Sequence, residues 1–377
     1  RYHKPLVDFL LGQSALSKAK LPAESPVKRV PEKSVEVVEA GPSRQPAGEQ
    51  VRVLLGYSPQ NEPVYWQPGR LNNGHLVIVG GSGAGKTELI RCIAAELNRH
   101  EFAVLMVDFH GDMKPDGIAV RTCDIREGSP YYFNPLELDA KFPDITPLRA
   151  KSDFLDAISI NFPTLGIQQK DRLAEIIDQS YKDLGITAAP STWSSQLPFG
   201  TVQEHITQSE DKETQSLRAY LRDIFDYQLF SGEKVLSPGE VLSGGITHIN
   251  LKALPESLRS LHADLFLRKL YYLLQTRGEI PRGKISDAQR FRVFVIVDEA
   301  KLLVSERQGI KAVLNKYATE MRKFGVGLIL ASQIISHFND EILANIAAKV
   351  CMNAENVAQA KANGKLFDIA EDVLMNL

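Results

Sequence analysis

The run Gly80-Gly81-Ser82-Gly83-Ala84-Gly85-Lys86-Thr87 satisfies the pattern G-x-x-x-x-G-K-[ST] at every position. Glycines spaced in this way let successive backbone N–H groups curl around phosphate oxygens, and the N-terminus of a following helix adds a dipole that favours the anion. Lys86 suits the β- and γ-phosphates of a nucleotide, the Thr87 hydroxyl suits Mg²⁺, and Glu88 extends the nucleotide-binding run. The bland alternative is a glycine-rich turn. At average glycine content, a chance match in a chain of this length is on the order of one in a hundred. ATP and Mg²⁺ are therefore the cofactors expected.

A second acidic element completes the chemistry. Phe294-Val295-Ile296-Val297-Asp298-Glu299 is an apolar run that ends in two acids. At the carboxyl end of a strand, Asp298 suits Mg²⁺, partly through water, and Glu299 suits activation of the attacking water. Acids also favour helix N-termini, so the pair gains its meaning from the intact phosphate loop. Gln333 follows the apolar run 326–332 and is placed to sense a γ-phosphate. Arg322, just ahead of that run, suits neutralisation of the transferring phosphoryl group, in its own subunit or a neighbour's; its alternative is a solvated helix end. Asp108, closing the run 103–108, is a further candidate for placing water or metal, whereas His110 reads as local turn chemistry.

The elements that must position these residues follow from periodicity. His75–Val79 reads as a buried strand, and Leu89, Ile90, Ile93 and Leu97 recur at helical spacing directly after the loop. Strand, glycine loop and helix is the context that gives the motif its meaning. Further strands are predicted at 103–108, near 118–123, at 246–250, 293–297, 326–330 and near 349–352. Helices carry Leu258 to Leu274 and Val313 to Met321. Alternating strands and helices imply an α/β fold with a mainly parallel sheet and ligands at the strands' carboxyl ends. Residues 73–147 and 227–377 form the expected P-loop NTPase core. Around it are a short β-hairpin over 51–72, a helical insertion over 148–226, a Pro-rich linker over 21–50 and a short helical segment within 1–20.

Composition narrows the partners. The chain has 377 residues, 44% of them hydrophobic, and 44 Lys and Arg balance 46 Asp and Glu. No global basic field draws nucleic acid, so any such surface is local. Candidates are Lys301, Arg307, Lys311 and Lys316, which follow the second motif; a solvated helix face is the alternative for each. Cys92, Cys123 and Cys351 are too few and too scattered for a disulfide framework or zinc site, and they fit a reducing, cytoplasmic location. No apolar run is long enough for a transmembrane helix. The opening residues carry neither an initiator Met nor a signal peptide, and the reading is a fragment of a longer polypeptide.

Taken together, Asp298-Glu299-Ala300-Lys301-Leu302-Leu303 and Arg322-Lys323-Phe324-Gly325-Val326-Gly327-Leu328 running into Ala331-Ser332-Gln333 resemble HerA-like ATPases of the HerA/FtsK superfamily. Asn72-Asn73-Gly74-His75, Asp108-Phe109-His110-Gly111-Asp112 and Phe133-Asn134-Pro135-Leu136 fit the same pattern, and the resemblance spans roughly 50–377. It implies a RecA-like core, a homohexameric ring, double-stranded DNA pumped through a central channel, and a nuclease partner in DNA processing or anti-phage restriction. Two features depart from it: only the hairpin stands where HerA proteins of end resection carry a β-barrel, and Lys301 stands where the family often has His. The linker and N-terminal segment resemble the arrangement of DptH-like restriction proteins, with the ATPase module at the C-terminal end. A DNA-independent transport or conjugation ATPase of the coupling-protein type, and a nucleotide switch that assembles a complex, are the alternatives.

Overall fold

Short β-branched runs bounded by glycine or polar turns become the strands of one central sheet. The computed structural model describes residues 50–194, 196–281, 283, 285–304, 312–367 and 371–375. The segment 1–20, nearly all of the Pro-rich stretch 21–50, and Arg307 and Lys311 lie outside the described residues.

The described chain opens with an antiparallel hairpin of β1 (Val53–Tyr57) and β2 (Pro63–Trp66), with Val53 opposite Trp66. Next come β3 (Leu76–Val79), α1 (Lys86–Arg99), β4 (Ala103–Asp108), β5 (Val120–Asp124) and β6 (Tyr131–Tyr132). Four helices then run in succession: α2 (Pro147–Asn161), α3 (Ile167–Asp183), α4 (Phe199–Gln208) and α5 (Lys212–Asp226). The sheet resumes through β7 (Lys234–Val235), α6 (Pro238–Val241), β8 (Ile246–Asn250), α7 (Glu256–Thr276), α8 (Asp287–Arg290) and β9 (Val293–Val297). The last elements are α9 (Val313–Glu320), β10 (Val326–Ser332), α10 (Asp340–Ala344), β11 (Ala348–Cys351), α11 (Val357–Phe367) and α12 (Glu371–Met375).

Seven strands form the sheet, in the order β11-β3-β10-β9-β4-β8-β5, and every pairing is parallel. Such a sheet needs cover on both faces, and the alternation of side chains supplies two cores. On one face Leu76, Ile78, Met106, Phe294, Ile296 and Ile329 pack with Ile90, Ile93 and Leu97 of α1 and with Trp66 of the hairpin. On the other Val77, Val79, Leu105, Val295 and Leu330 meet α7, α9 and the helices α2 to α5. Helix α7 is apolar around most of its circumference, because the sheet lies on one side and α2 on another. Local chemistry fixes the ends of the inserted helices: Thr146 and Pro147 start α2, and Asp211 accepts from the N–H groups of Glu213 and Thr214 to start α5.

Candidate nucleotide and catalytic site

The carboxyl ends of β3, β10, β9 and β4 lie side by side along one edge of the sheet. Gly80 follows Val79 directly. Gly83 and Gly85 have φ of 72° and 93°, a left-handed backbone that a side chain would strain, so the loop can curl back on itself. A Cβ on Gly81 would sit 2.6 Å from Glu355 N, because the chain leaving β11 crosses the loop closely. No side chain caps the first turn of α1, which leaves helix N–H groups able to donate to an anion. Lys86 Nζ donates to the carbonyls of Gly80 and Gly81, at 2.8 Å each. Burial lowers its pKa, against the opposing charges of Asp298, Glu299 and Glu355. The donors of this loop, its uncapped helix and a cation at its base fit a nucleotide's phosphates.

Beside it, Asp298 and Glu299 follow β9 and are both buried. The Glu299 N–H donates to Asp298 Oδ1 at 2.8 Å, and burial raises the Asp298 pKa. Glu299 has φ of 47°, so this acid sits in the left-handed region without being glycine; such backbone persists where its surroundings hold it in place. Among the described residues no group of three or more His, Cys, Asp or Glu is gathered to hold a metal alone. Mg²⁺ is usually held by one or two protein oxygens together with water and substrate phosphates. Thr87 and Asp298 are the residues that would serve. Gln333 comes one residue after Ser332, which is paired with Val79, so it stands level with Gly80 on the adjacent strand. Glu88 pairs with Arg91 at 3.2 Å, and Arg91 Nε reaches the Asp112 carbonyl at 2.8 Å, tying α1 to the loop after β4.

Two expectations meet physical obstacles. Asp108, expected to place water or metal, has both oxygens engaged: Oδ1 accepts from the N–H groups of His110 and Gly111, and Oδ2 accepts from Met113 N–H and lies 2.8 Å from His248 Nε2. Burial opposes its charge, but the hydrogen bonds from His248, Met113 and Gly111 outweigh it and hold the pKa below its usual value. Its carboxylate shapes the loop that carries His110. Arg322 stands at the amino end of β10, the far edge of the sheet from the phosphate loop. Seven strand residues at about 3.3 Å each place roughly 20 Å between that edge and Gln333. An action of Arg322 in its own subunit's site is excluded by that distance. Arg322 instead lines a cavity of about 620 Å³ with Asn72, Asn73, Glu279, Arg290 and Lys323.

The expected DNA contacts are not assembled into one described surface. Lys301 Nζ lies 2.6 Å from Glu299 Oε1. Lys316 is half-buried, its pKa lowered by burial and by Arg268, with Asp153 and Asp156 nearby. Sequence reasoning also missed contributors. Glu355 accepts from Ser82 N–H at 3.4 Å, His248 braces Asp108, and His337 Nδ1 stands 2.6 Å from Ser332 Oγ. None carries a local motif: His248 is 140 positions from Asp108 and Glu355 is 273 from Ser82.

With this geometry in place, comparison with known proteins is informative. The sequence profile of the helicase HerA central domain matches residues 54–270. The chain is 24% identical over 314 residues to a DNA double-strand break repair helicase HerA of Sulfurisphaera tokodaii, covering 80% of this chain and 60% of that protein. It is 25% identical to the protein of the same description from Sulfolobus acidocaldarius, over 74% of this chain and 54% of that one. It thus spans little more than half the length of these relatives. Among solved structures, VirB4 of Thermoanaerobacter pseudethanolicus superposes with a TM-score of 0.67 at 19% identity, covering 88% of this chain and 93% of that one. The plasmid coupling protein TrwB, in complex with ADP and Mg²⁺, superposes with a TM-score of 0.51 at 18% identity, over 78% and 73%. At these identities the two structures establish the fold, an α/β P-loop NTPase.

Proposed function

The chain belongs to the HerA central-domain family of P-loop ATPases, and on that premise we propose that it is the motor of an ATP-driven translocase acting on double-stranded DNA. The observation that carries the reading is the edge of the sheet that gathers the phosphate loop, Asp298, Glu299 and Gln333 on three neighbouring strands. Gly80 to Glu88 hold the nucleotide, with Lys86 at its phosphates. Thr87 and Asp298 hold Mg²⁺, which when bound neutralises phosphate charge. Glu299 takes the proton of the attacking water, and a pure switch would have no need of that acid. Gln333 reports loss of the γ-phosphate along β10 to the loops beyond.

The position of Arg322 supports a ring. Unable to reach its own site, it serves only if its edge of the sheet faces the nucleotide of an adjacent subunit, and a closed head-to-tail ring provides that contact all round. Six subunits and a nuclease partner are carried from the family resemblance, and the relatives named as break-repair helicases support a role in DNA processing. DNA contacts go to phosphates and weaken with salt.

Steady-state ATP hydrolysis with and without linear double-stranded DNA, with Glu299→Gln as the control, tests this. Turnover stimulated by DNA and abolished in the variant is the result expected. The likeness of fold to VirB4 and a conjugative coupling protein keeps a transport ATPase as the second reading; robust turnover indifferent to DNA would select it. No turnover under either condition would select a nucleotide switch.

A further inference from the structure

Glu299 is surrounded by ionisable groups from three loops. Lys301 Nζ lies 2.6 Å from its Oε1 without the alignment of a hydrogen bond, and among the described residues no hydrogen-bond donor serves that buried oxygen. His110 Nε2, on the loop braced by Asp108, stands 3.9 Å from Oε2. His337, on the turn after β10, lies within the fields of both Lys301 and Glu299. The left-handed backbone at Glu299 and the tight turn over Ala300–Leu303 fold Lys301 back onto the carboxylate two residues earlier. The pairing is asymmetric: the Glu299 side chain is 9% exposed and that of Lys301 is 41% exposed. The acid is fixed in place, whereas the ammonium can leave.

We infer that Lys301 is a positioning residue that latches Glu299, and that a phosphate oxygen drawing Nζ away releases the carboxylate to orient water. An ammonium facing Oε1 at 2.6 Å competes with a water for that oxygen's lone pairs. An ammonium on a long, half-exposed stem readily exchanges one anionic oxygen for another. The inference rests on the reading of Glu299 as the water-activating acid. The displacing phosphate is a backbone phosphate of DNA, because a γ-phosphate would open the latch in every ATP-bound site and leave DNA-free turnover already unlatched.

ATP hydrolysis by the wild type, Lys301→Met, Lys301→Gln and Lys301→Arg, each with and without linear double-stranded DNA, tests the latch. Removing the ammonium raises DNA-free kcat about three- to fivefold, the factor matching release of a partly exposed ion pair. KM and the affinity for a fluorescent ADP analogue stay within about twofold, because the latch acts on water and not on nucleotide binding. Lys301→Arg keeps the wild-type pattern, and Lys301→Gln, which retains most of the side chain's length, behaves as Lys301→Met. Lys301→Met also loses further stimulation by DNA, and the slope of log affinity for DNA against log salt falls by about one. Slope and stimulation that both persist overturn the assignment of DNA as the releasing phosphate. An unchanged or lower DNA-free kcat in both neutral variants overturns the inference. Wild-type turnover in Glu299→Gln would instead overturn the underlying reading of the site, separately from any result at Lys301.

Discussion

The two edges of the central sheet are built from the same strands yet differ in kind. The carboxyl edge gathers backbone donors, buried acids and a left-handed glutamate within reach of one phosphate chain. The amino edge is polar and basic, with Arg290, Arg322 and Lys323 around an open cavity. Neither edge is a complete site. Among the described residues, the first lacks an arginine able to reach the phosphoryl group, and the second holds one with no phosphate of its own to meet. A parallel sheet always separates these edges by the length of its strands. In the proposed ring, a second copy of the chain would bring the two edges together.

The most severe test of that contrast removes one group from each edge. Arg322→Ala and Glu299→Gln should each lower kcat about 10³-fold in the assembled protein while leaving ADP affinity near the wild-type value. Mixing the two inactive variants should then restore a fraction of turnover, since some interfaces pair an intact acid with an intact arginine. Mixtures as inactive as their components would show that the edges do not cooperate across subunits.

Acid should next distinguish the anchors of the two edges. At the amino edge, His75 Nδ1 accepts from Leu328 N–H, and burial lowers its pKa to about 4. On the face packed by α7, His262 has no partner at either ring nitrogen, lies edge-on to Phe133 and is lowered to about 3. Both are neutral in the fold, while the unfolded chain gains their protons below about pH 6.5. Stability is therefore full above that pH and falls as pH drops toward about 4, by on the order of 3 kcal/mol for His75. The thermal midpoint should fall between pH 7 and pH 5, and less steeply in His262→Leu; a midpoint flat across that range would contradict the assignment. Asp108 works over a lower window. Its pKa is held below the usual carboxylate value, so its contribution persists above about pH 4 and is lost only below it.

A smaller effect belongs to the loop that Asp108 shapes. Asp108→Asn keeps the volume but removes an acceptor from Met113 N–H or from His248, and should cost about 1–3 kcal/mol. If the carboxylate only supports the loop, kcat falls less than in Glu299→Gln. A loss of turnover equal to that of Glu299→Gln would instead return Asp108 to the chemistry.

The carboxyl edge was largely legible from the chain because its parts are consecutive. Eight residues state the phosphate loop, and an apolar run closed by Asp298 and Glu299 states its neighbour. The strands were legible for the same reason, since each is a short β-branched run; only β6 and β7, two residues each, were too brief to see. Within 148–226, Phe154 and Ile158 of α2, Leu173 and Ile177 of α3 and Leu217 of α5 stand at helical spacing, whereas α4 at Phe199–Gln208 carries too few periodic residues to stand out. What stayed hidden was side-chain direction. Nothing local states that the glutamate backbone turns left-handed and brings Lys301 back onto it, or that Asp108 spends its oxygens on its own loop and on His248. Those outcomes depend on residues brought together only by the finished sheet.

The most direct test of the account is movement along DNA, followed as ATP-driven displacement of a triplex-forming oligonucleotide from a linear duplex. The expected result is displacement by the wild type at low salt, none by Glu299→Gln, and partial recovery when Arg322→Ala is mixed with Glu299→Gln. Vigorous ATP hydrolysis by the wild type with the third strand left in place would contradict it.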